Sequence, residues 1–188
     1  MHHLTGFHRI LCFLTAIALS AAIPNTAGYA KSVSDEDRVK AAFVYNFIKF
    51  VEWPSKAFSG PEAPLNVCVW GTKAETGLLD TLHEKTAKKR PIHVVYTQSP
   101  AGLAQCHLLY LTKDSSPTFK TVIRNISGQS ILSVSDIDDF AESGGLIGLF
   151  RSDNQMRFAI NLKATQKSGL RMSSGLLKLG KIVAGGDR

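Results

Sequence analysis

The chain has 188 residues, of which 44% are hydrophobic, 20% charged and 9% aromatic. This length is enough for one well-packed domain and too short for two ordinary ones, and the composition excludes a disordered or fibrous protein. The formal net charge is +7. Such a charge suits nucleic acid in the cytosol, whereas outside the cytoplasm it favours anionic membrane surfaces, acidic protein faces or small anions.

The first thirty residues have the order of a secretory signal. A polar start that carries Arg9 precedes a 13-residue apolar run over 10–22, and small residues stand at positions 28 and 30. The run is shorter than the roughly 20 residues that span a bilayer, although an uncleaved membrane anchor is the alternative. We predict a signal peptide over 1–30 that is cleaved after Ala30, and no nucleic acid partner for the exported protein.

The first helix of the mature chain is unusually apolar. Ser34 is a candidate N-cap with carboxylates in the first turn after it, and the helix is predicted to end near Glu52, before Pro54. Its narrow polar strip consists of Arg38, Tyr45, Asn46, Lys49 and Glu52. Lys40 lies on the opposite side. Such a helix is either a core helix or partly covered by a partner or second copy.

Five short apolar segments follow, separated by polar stretches with weak helical character. The segments span 66–71, 92–96, 107–111, 130–134 and 145–150, and the stretches between the first four span 72–88, 98–105 and 114–127. Continuous apolar runs are typical of strands covered on both faces, as in a parallel sheet. We predict one compact α/β domain over 39–184, a mainly parallel sheet flanked by helices (an α/β/α sandwich), with residues 31–38 as linker and helix start.

The last part of the chain begins with a sixth strand candidate at 157–162. Turn-forming residues at 152–155 allow this strand to form an antiparallel hairpin with the segment at 145–150. From Lys163 onward, recurring leucines predict one closing amphipathic helix.

Two cysteines remain after the signal peptide, Cys68 and Cys106. They lie in or beside the first and third strand candidates, in a chain that is predicted to enter an oxidising compartment. If those strands are neighbours, a disulfide is sterically feasible and would stabilise the domain by roughly 4 kcal/mol. A functional thiol is the alternative, but the sequence has no CxxC motif beside either cysteine.

Common catalytic motifs are absent from the sequence: GxSxG, the Walker phosphate loop, GxGxxG and HExxH. Three isolated histidines remain in the mature chain: His83, His93 and His107. We predict no metal site and no cofactor, because no ligand spacing requires one. Asp136, Asp138 and Asp139 follow a predicted strand, where capping of the next turn is a simpler explanation than a calcium site. The sequence therefore favours a binding protein over an enzyme.

Four stretches, taken together and in order, are characteristic of one protein family. They are KAAFVYNFIKFVEWP (40–54), CVWG with CHLLYL (68–71 and 106–111), ILSVSDIDDFAESGGLIGLF (131–150) and RFAINLKATQKSGLRMSSGLLKLGKIV (157–183). Over essentially the whole mature chain they resemble the YfiR family of periplasmic proteins, which includes HmsC-type proteins. The resemblance implies a dimeric, mainly parallel α/β sandwich and a disulfide between Cys68 and Cys106. A second disulfide of the family is absent, because 145–161 contains no cysteine, and Ala159 replaces an acidic residue that relatives often carry.

The resemblance also implies a regulatory role in the periplasm. YfiR-like proteins bind the periplasmic sensor domain of an inner-membrane diguanylate cyclase and hold it inactive, and an OmpA-like outer-membrane lipoprotein relieves this repression. We therefore expect a homodimeric repressor that lowers cyclic di-GMP and biofilm formation. The alternative is a periplasmic small-molecule-binding sensor module that reports its ligand to a partner.

The predicted partner- or ligand-binding residues come from two parts of the chain. They are Asn46, Lys49 and Trp53 from the first helix and the residues after it, and Asn161, Arg171, Ser173 and Ser174 from the late segment. Trp53 has a second interpretation as a residue that plugs the core. Arg171 and its serines have two interpretations as well, a small anion site or ordinary helix capping.

Overall fold

A mixed β-sheet runs through the centre of the computed structural model, which describes residues 34–72 and 77–185. The predicted signal peptide and its cleavage site lie outside the described residues. The strands are β1 (Val51–Glu52), β2 (Leu65–Trp70), β3 (Thr86–Ala87), β4 (Arg90–Thr97), β5 (Leu108–Leu111), β6 (Leu132–Ser135), β7 (Ile147–Ser152), β8 (Gln155–Asn161), β9 (Arg171–Met172) and β10 (Lys181–Val183). The helices are α1 (Asp35–Phe50), α2 (Phe119–Ile126), α3 (Leu162–Ser168) and α4 (Ser174–Leu179). No helix in this part of the chain is long and apolar enough to cross a membrane.

The main sheet has the strand order β10-β8-β7-β6-β5-β2-β4-β3 in the described part of the chain. Neighbouring strands are parallel except in the pairs β7–β8 and β3–β4. The central strands β5 and β6 are buried at every position, as their continuous apolar runs predict. The predicted fold class is therefore confirmed: one compact α/β domain with a mainly parallel sheet.

Helices cover both faces of this sheet. On one face, Val67, Leu108 and Val134 belong to the same core cluster as the buried residues of α1. On the opposite face, Cys68 and Leu109 belong to a second cluster that includes the apolar residues of α2. The two sets alternate along the strands because successive strand residues point to opposite faces. This arrangement is the three-layer sandwich that the sequence predicts.

Helix α1 begins where its capping signal predicts. The Ser34 hydroxyl accepts a hydrogen bond from the Asp37 N–H at 3.1 Å, and the Asp37 carboxylate accepts one from the Ser34 N–H at 3.2 Å. This reciprocal pair satisfies two backbone donors at the helix start. The helix ends at Phe50, two residues before the predicted end, because Val51 and Glu52 extend into strand β1.

The predicted helical character of 72–88 and 98–105 is only weakly realised. Residues 73–76 lie outside the described residues. After them, the segment contains a single 3₁₀ turn at Asp80–Leu82 and the short strand β3, and 98–105 contains the 3₁₀ helix Pro100–Gln105. The third stretch, 114–127, does contain an α-helix, α2, as predicted.

The prediction of one closing helix after Lys163 is wrong. The structure has α3, β9, α4 and β10 in this region. Helix α3 ends because Gly169 adopts the left-handed conformation with φ 71°, a backbone geometry that glycine accepts without strain. Of the leucines that suggested one helix, Leu176, Leu177 and Leu179 lie in α4, whereas Leu170 lies between α3 and β9. Ile182 and Val183, the last residues of the pattern, belong to the edge strand β10.

The predicted hairpin and disulfide are both present. Strands β7 and β8 pair antiparallel, and the turn between them places Asp153 and Asn154 at φ 51° and 58°, which is typical of a two-residue hairpin turn. Strands β2 and β5 are parallel neighbours. Cys68 and Cys106 form a disulfide across them with a Cα–Cα distance of 5.7 Å, so both thiols are consumed by a cross-link inside the domain.

Candidate partner surface

The end of α1 lies beside the segment between α3 and α4. Strand β1 pairs antiparallel with β9, so that Glu52 is opposite Arg171, and their side chains form an ion pair at 3.0 Å. The Ser173 N–H donates a hydrogen bond to the Phe50 carbonyl oxygen at 2.9 Å. Two regions that are more than 100 positions apart in sequence thus become one surface.

Four of the predicted binding residues are exposed on or near this surface. Asn46 and Lys49 are exposed on the last turns of α1, and Arg171 and Ser174 are exposed across the β1–β9 pair. Phe50, with 44% of its surface exposed, ends α1, and its carbonyl oxygen accepts the Ser173 N–H from the second group's segment. We call these five residues, Asn46, Lys49, Phe50, Arg171 and Ser174, the α1–β9 surface.

Ser173 has a structural role at the start of α4. Its hydroxyl oxygen accepts a hydrogen bond from the Leu176 N–H at 3.2 Å, which makes it the N-cap of this helix. The capping interpretation of this serine is therefore confirmed.

Trp53 supports the surface from beneath. Its side chain is half-buried and packs against the core cluster below α1. Its indole N–H donates a hydrogen bond to the His107 carbonyl oxygen at 2.9 Å. These contacts match the interpretation of Trp53 as a residue that plugs the core next to the α1–β9 surface.

Asn161 is separated from the other predicted residues. It is 2% exposed, its side-chain oxygen accepts from the Ala164 N–H at 2.9 Å, and its side-chain NH₂ donates to the Ala141 carbonyl oxygen at 2.8 Å. It caps α3 and ties it to the loop before β7. Since its polar ends already have partners inside the domain, we do not include it in the α1–β9 surface.

Among the described residues, the two most exposed large apolar side chains were not identified from the sequence. Leu179 at the end of α4 is 75% exposed, and Ile182 in the edge strand β10 is 49% exposed. The sequence pattern assigned both to the buried side of a single helix. Only the break between α4 and β10 places them at the surface.

A buried ionic centre holds the first half of α1 against the sheet. The Lys40 ammonium contacts the Asp136 carboxylate at 2.8 Å and that of Glu36 at 2.9 Å, and the Tyr110 hydroxyl donates to Asp136 at 3.3 Å. Burial lowers the pKa of Lys40, but the hydrogen bonds and charges of the two carboxylates outweigh it, so the pKa is raised. Burial and the neighbouring Asp136 charge raise the pKa of Tyr110 well above 10.0. This centre keeps Lys40 charged and Tyr110 neutral, which suits a structural role.

His107 occupies a second polar position at the start of β5. Its Nδ1 accepts from the Asn66 N–H at 3.0 Å, and its Nε2 lies 3.0 Å from the Ala57 carbonyl oxygen. The Phe58 ring stacks on the imidazole at 4.3 Å between centroids, and the Arg90 guanidinium lies 3.8 Å from the centre of the Phe58 ring. Burial, with the Arg90 charge, lowers the pKa of His107. The neutral tautomer that carries its proton on Nε2 satisfies both contacts.

Residues 34–72 and 77–185 contain no group of three or more His, Cys, Asp or Glu side chains that could hold a metal ion. Every buried side-chain nitrogen and oxygen there has a hydrogen-bond partner. Four of the predicted binding residues, Asn46, Lys49, Arg171 and Ser174, are exposed, whereas the buried polar groups described above support the fold.

Comparison with known families identifies the domain. The sequence model of the YfiR/HmsC-like family matches residues 37–181, from the first turn of α1 to the first residue of β10. The match covers most of the chain and includes every described strand of the main sheet except the last two residues of β10. The family is regulatory in character and, in general, periplasmic and associated with a diguanylate cyclase. We conclude that this chain belongs to the YfiR/HmsC-like family.

Proposed function

We propose that this protein is a periplasmic repressor of an inner-membrane diguanylate cyclase and that it lowers cyclic di-GMP and biofilm formation. The observation that carries the proposal is the family match over residues 37–181. In this proposal the signal peptide over 1–30 directs export, and an OmpA-like outer-membrane lipoprotein relieves repression by sequestering the protein. Its partners are proteins, with no nucleic acid and no cofactor involved.

Repression of this kind requires a preference for one state of the target. The protein must bind the inactive sensor domain more tightly than the active one, because a ligand with equal affinity for both states shifts nothing. Moving the sensor from 1:99 to 99:1 requires about 5.5 kcal/mol of preference. A protein surface with an apolar centre and a polar rim can supply such a difference without any chemical step.

We place the contact with the cyclase on the α1–β9 surface. Phe50 provides an exposed apolar centre, and Lys49 and Arg171 provide cations around it. The β1–β9 pair and the Trp53 indole hold the backbone beneath, so little conformational freedom has to be lost on binding. Because Arg171 is paired with Glu52 at 3.0 Å, Lys49 supplies the net positive charge of this rim, and it suits a carboxylate on the sensor domain.

A binding experiment tests this placement with a matched pair of phenylalanines. Phe50→Ser removes the proposed apolar centre, and Phe150→Ser removes a similarly exposed ring on β7, away from the surface. The mature protein is titrated against the purified periplasmic domain of the candidate cyclase by biolayer interferometry. We expect Phe50→Ser to weaken binding by about tenfold or more and Phe150→Ser to leave it unchanged. Equal effects of the two variants on binding would contradict the placement of the contact on the α1–β9 surface.

A genetic experiment tests the regulatory role itself. Deleting the gene should raise cyclic di-GMP and biofilm mass, and a plasmid copy with Phe150→Ser should restore both to the wild-type level. A copy with Phe50→Ser, exported in equal amount, should fail to do so. Cyclic di-GMP that does not change on deletion, across several growth conditions, would contradict the proposed role.

A further inference from the structure

The hairpin formed by β3 and β4 carries exposed lysines at its tip. Ala87 pairs with Arg90, so Lys88 and Lys89 form a two-residue turn, with φ 50° and 62°. Positive φ at both turn positions is typical of tight hairpins, because it matches the twist of the two strands. Ala87 is buried in the core cluster that also contains α1. The hairpin is therefore fixed to the domain, while both turn lysines are exposed to solvent.

Tyr45 joins this hairpin to α1. Its hydroxyl donates a hydrogen bond to the Thr86 carbonyl oxygen at 3.1 Å. The ammonium groups of Lys85 and Lys49 lie 5.7 Å and 5.6 Å from the centre of the Tyr45 ring, within the distance of a cation–π contact. Since Lys49 belongs to the α1–β9 surface, the hairpin adjoins that surface at Tyr45. We call the three exposed hairpin residues the lysine patch: Lys85, Lys88 and Lys89.

The lysine patch lies in a region with more cations than carboxylates. None of its three ammonium groups forms an ion pair with a carboxylate of the described residues. Residues 80–90 contain four cations and two carboxylates, those of Asp80 and Glu84. Lys49 adds a further cation beside them, and Glu52, the carboxylate nearest to it along the chain, is engaged in the ion pair across β1 and β9. A positive excess therefore remains on this face.

The composition of the patch favours a lipid surface over a protein face as its partner. Protein interfaces have an apolar core and are depleted in lysine, whereas the described hairpin has no exposed large apolar side chain. Lysine ammonium groups are strongly hydrated and sit on flexible stems, so they give little geometric selectivity. A bilayer with anionic headgroups attracts clustered lysines by charge alone and needs no complementary shape.

We propose that the lysine patch binds the surface of an anionic phospholipid bilayer, in addition to the protein partners of this chain. Which membrane this is rests on the proposed function, which places the protein at the periplasmic face of the inner membrane. Because the patch adjoins the α1–β9 surface, a molecule held on the bilayer by the patch presents that surface close to the membrane, where the cyclase emerges. Holding both proteins at one membrane raises their effective concentration, so the patch strengthens repression without contacting the cyclase.

Cosedimentation of the mature protein with lipid vesicles tests the inference. We expect binding to vesicles of phosphatidylglycerol and phosphatidylethanolamine in about 50 mM salt, loss of most of this binding in about 300 mM salt, and little binding to phosphatidylcholine vesicles. Lys88→Gln with Lys89→Gln should weaken binding to the anionic vesicles by about 30-fold. The matched control is Lys120→Gln with Lys181→Gln, which removes the same charge from exposed positions on α2 and on β10, at the opposite edge of the sheet. The control should weaken binding by no more than about twofold.

Lys88→Arg with Lys89→Arg keeps both charges and should bind the vesicles as the wild type does, which separates a loss of charge from a disturbed turn. No binding to anionic vesicles, equal weakening by the two glutamine pairs, or binding that salt does not weaken would overturn the inference. An acidic protein face as the true partner predicts a different result: Lys88→Gln with Lys89→Gln would weaken binding of the purified cyclase domain in solution and leave vesicle binding unchanged, which would also overturn it. The vesicle assay contains no cyclase, so a failure of the proposed repressor role leaves its result unaffected.

Discussion

Lys40 and Asp136 show how one residue pair secures the position of α1. Both side chains are largely buried, with 11% and 15% of their surfaces exposed, and they meet at 2.8 Å. The pair joins positions 96 residues apart. Neutralising Asp136 would leave the buried Lys40 ammonium with the Glu36 carboxylate, which is 45% exposed. The cost of weakening a buried pair in this way is greater than the net contribution of an exposed pair.

We therefore expect Asp136→Asn to lower the free energy of unfolding by about 2–3 kcal/mol, measured by urea denaturation. The matched control is Asp138→Asn. Asp138 forms a longer ion pair with Lys113, at 3.4 Å, and 87% of the Asp138 side chain is exposed. Asp138→Asn should lower the free energy of unfolding by at most about 0.5 kcal/mol. Similar losses in the two variants would show that the buried centre does not stabilise the domain.

Because of His107, the free energy of unfolding is expected to decrease as the pH falls. Its pKa is lowered in the folded protein by burial and by the Arg90 charge, so the unfolded chain binds the proton more readily. Stability is then fully present above the unfolded pKa of about 6.5 and is lost as the pH falls below it towards the lowered folded value. Protonation of Nδ1 would also remove its hydrogen bond from the Asn66 N–H.

We expect the melting temperature to decrease as the pH is lowered from 7.5 to 5. In His107→Asn the fall should be smaller, because the titrating group is absent, whatever the absolute stability of this variant. The measurement is a series of thermal melts of both proteins in matched ionic strength. Parallel curves for the two proteins would contradict this role of His107.

At the scale of elements, the disulfide joins two neighbouring central strands. Cys68 lies in β2 and Cys106 precedes β5, and both are buried. We expect Cys68→Ala with Cys106→Ala to lower the free energy of unfolding of the mature protein by about 2–4 kcal/mol in urea denaturation. Dithiothreitol should lower the stability of the wild-type protein by a similar amount and leave the double variant unchanged. If dithiothreitol also lowers the stability of the double variant, its effect does not come from this disulfide.

Two glycines near the C-terminus should respond to alanine in opposite directions. Gly169 ends α3 with φ 71°, a conformation that is strained for alanine, so Gly169→Ala should lower stability by about 1 kcal/mol. Gly175 lies inside α4, where an added Cβ comes no closer than 3.8 Å to its neighbours. Gly175→Ala should raise stability by roughly 0.5–1 kcal/mol. Chemical denaturation of the two variants and the wild type measures both changes in the free energy of unfolding.

At the scale of the whole molecule, we expect a homodimer. Strand β10 is an edge strand whose Ile182 is exposed, and Leu179 just before it is the most exposed of the large apolar residues that the structure describes. An apolar sheet edge of this kind is a ready site for a second copy. Light scattering after gel filtration should give the mass of two chains. Leu179→Ser with Ile182→Ser should shift it towards one chain, whereas Phe150→Ser should not; a single-chain mass for the wild type would refute the dimer.

The strands and the start of α1 were predictable because their signals are local. Continuous apolar runs identify β5 and β6, and Ser34 with Asp37 identifies the helix cap. The closing region was predicted wrongly because its leucines fit a helical period, while the actual breaks depend on the left-handed backbone at Gly169 and on the pairing of β10 with β8. A glycine in a periodic pattern does not reveal which conformation it takes until its neighbours are known.

The sequence by itself determined the α/β class, the candidate disulfide cysteines and the family, because these depend on composition, periodicity and residue order along the chain. Only the tertiary structure decided which predicted residues share a surface. It pairs Glu52 with Arg171 and Lys40 with Asp136, and it buries Asn161 at the start of α3. Contacts between residues about 100 positions apart are set by strand order and helix packing, and no local pattern of residues encodes that order.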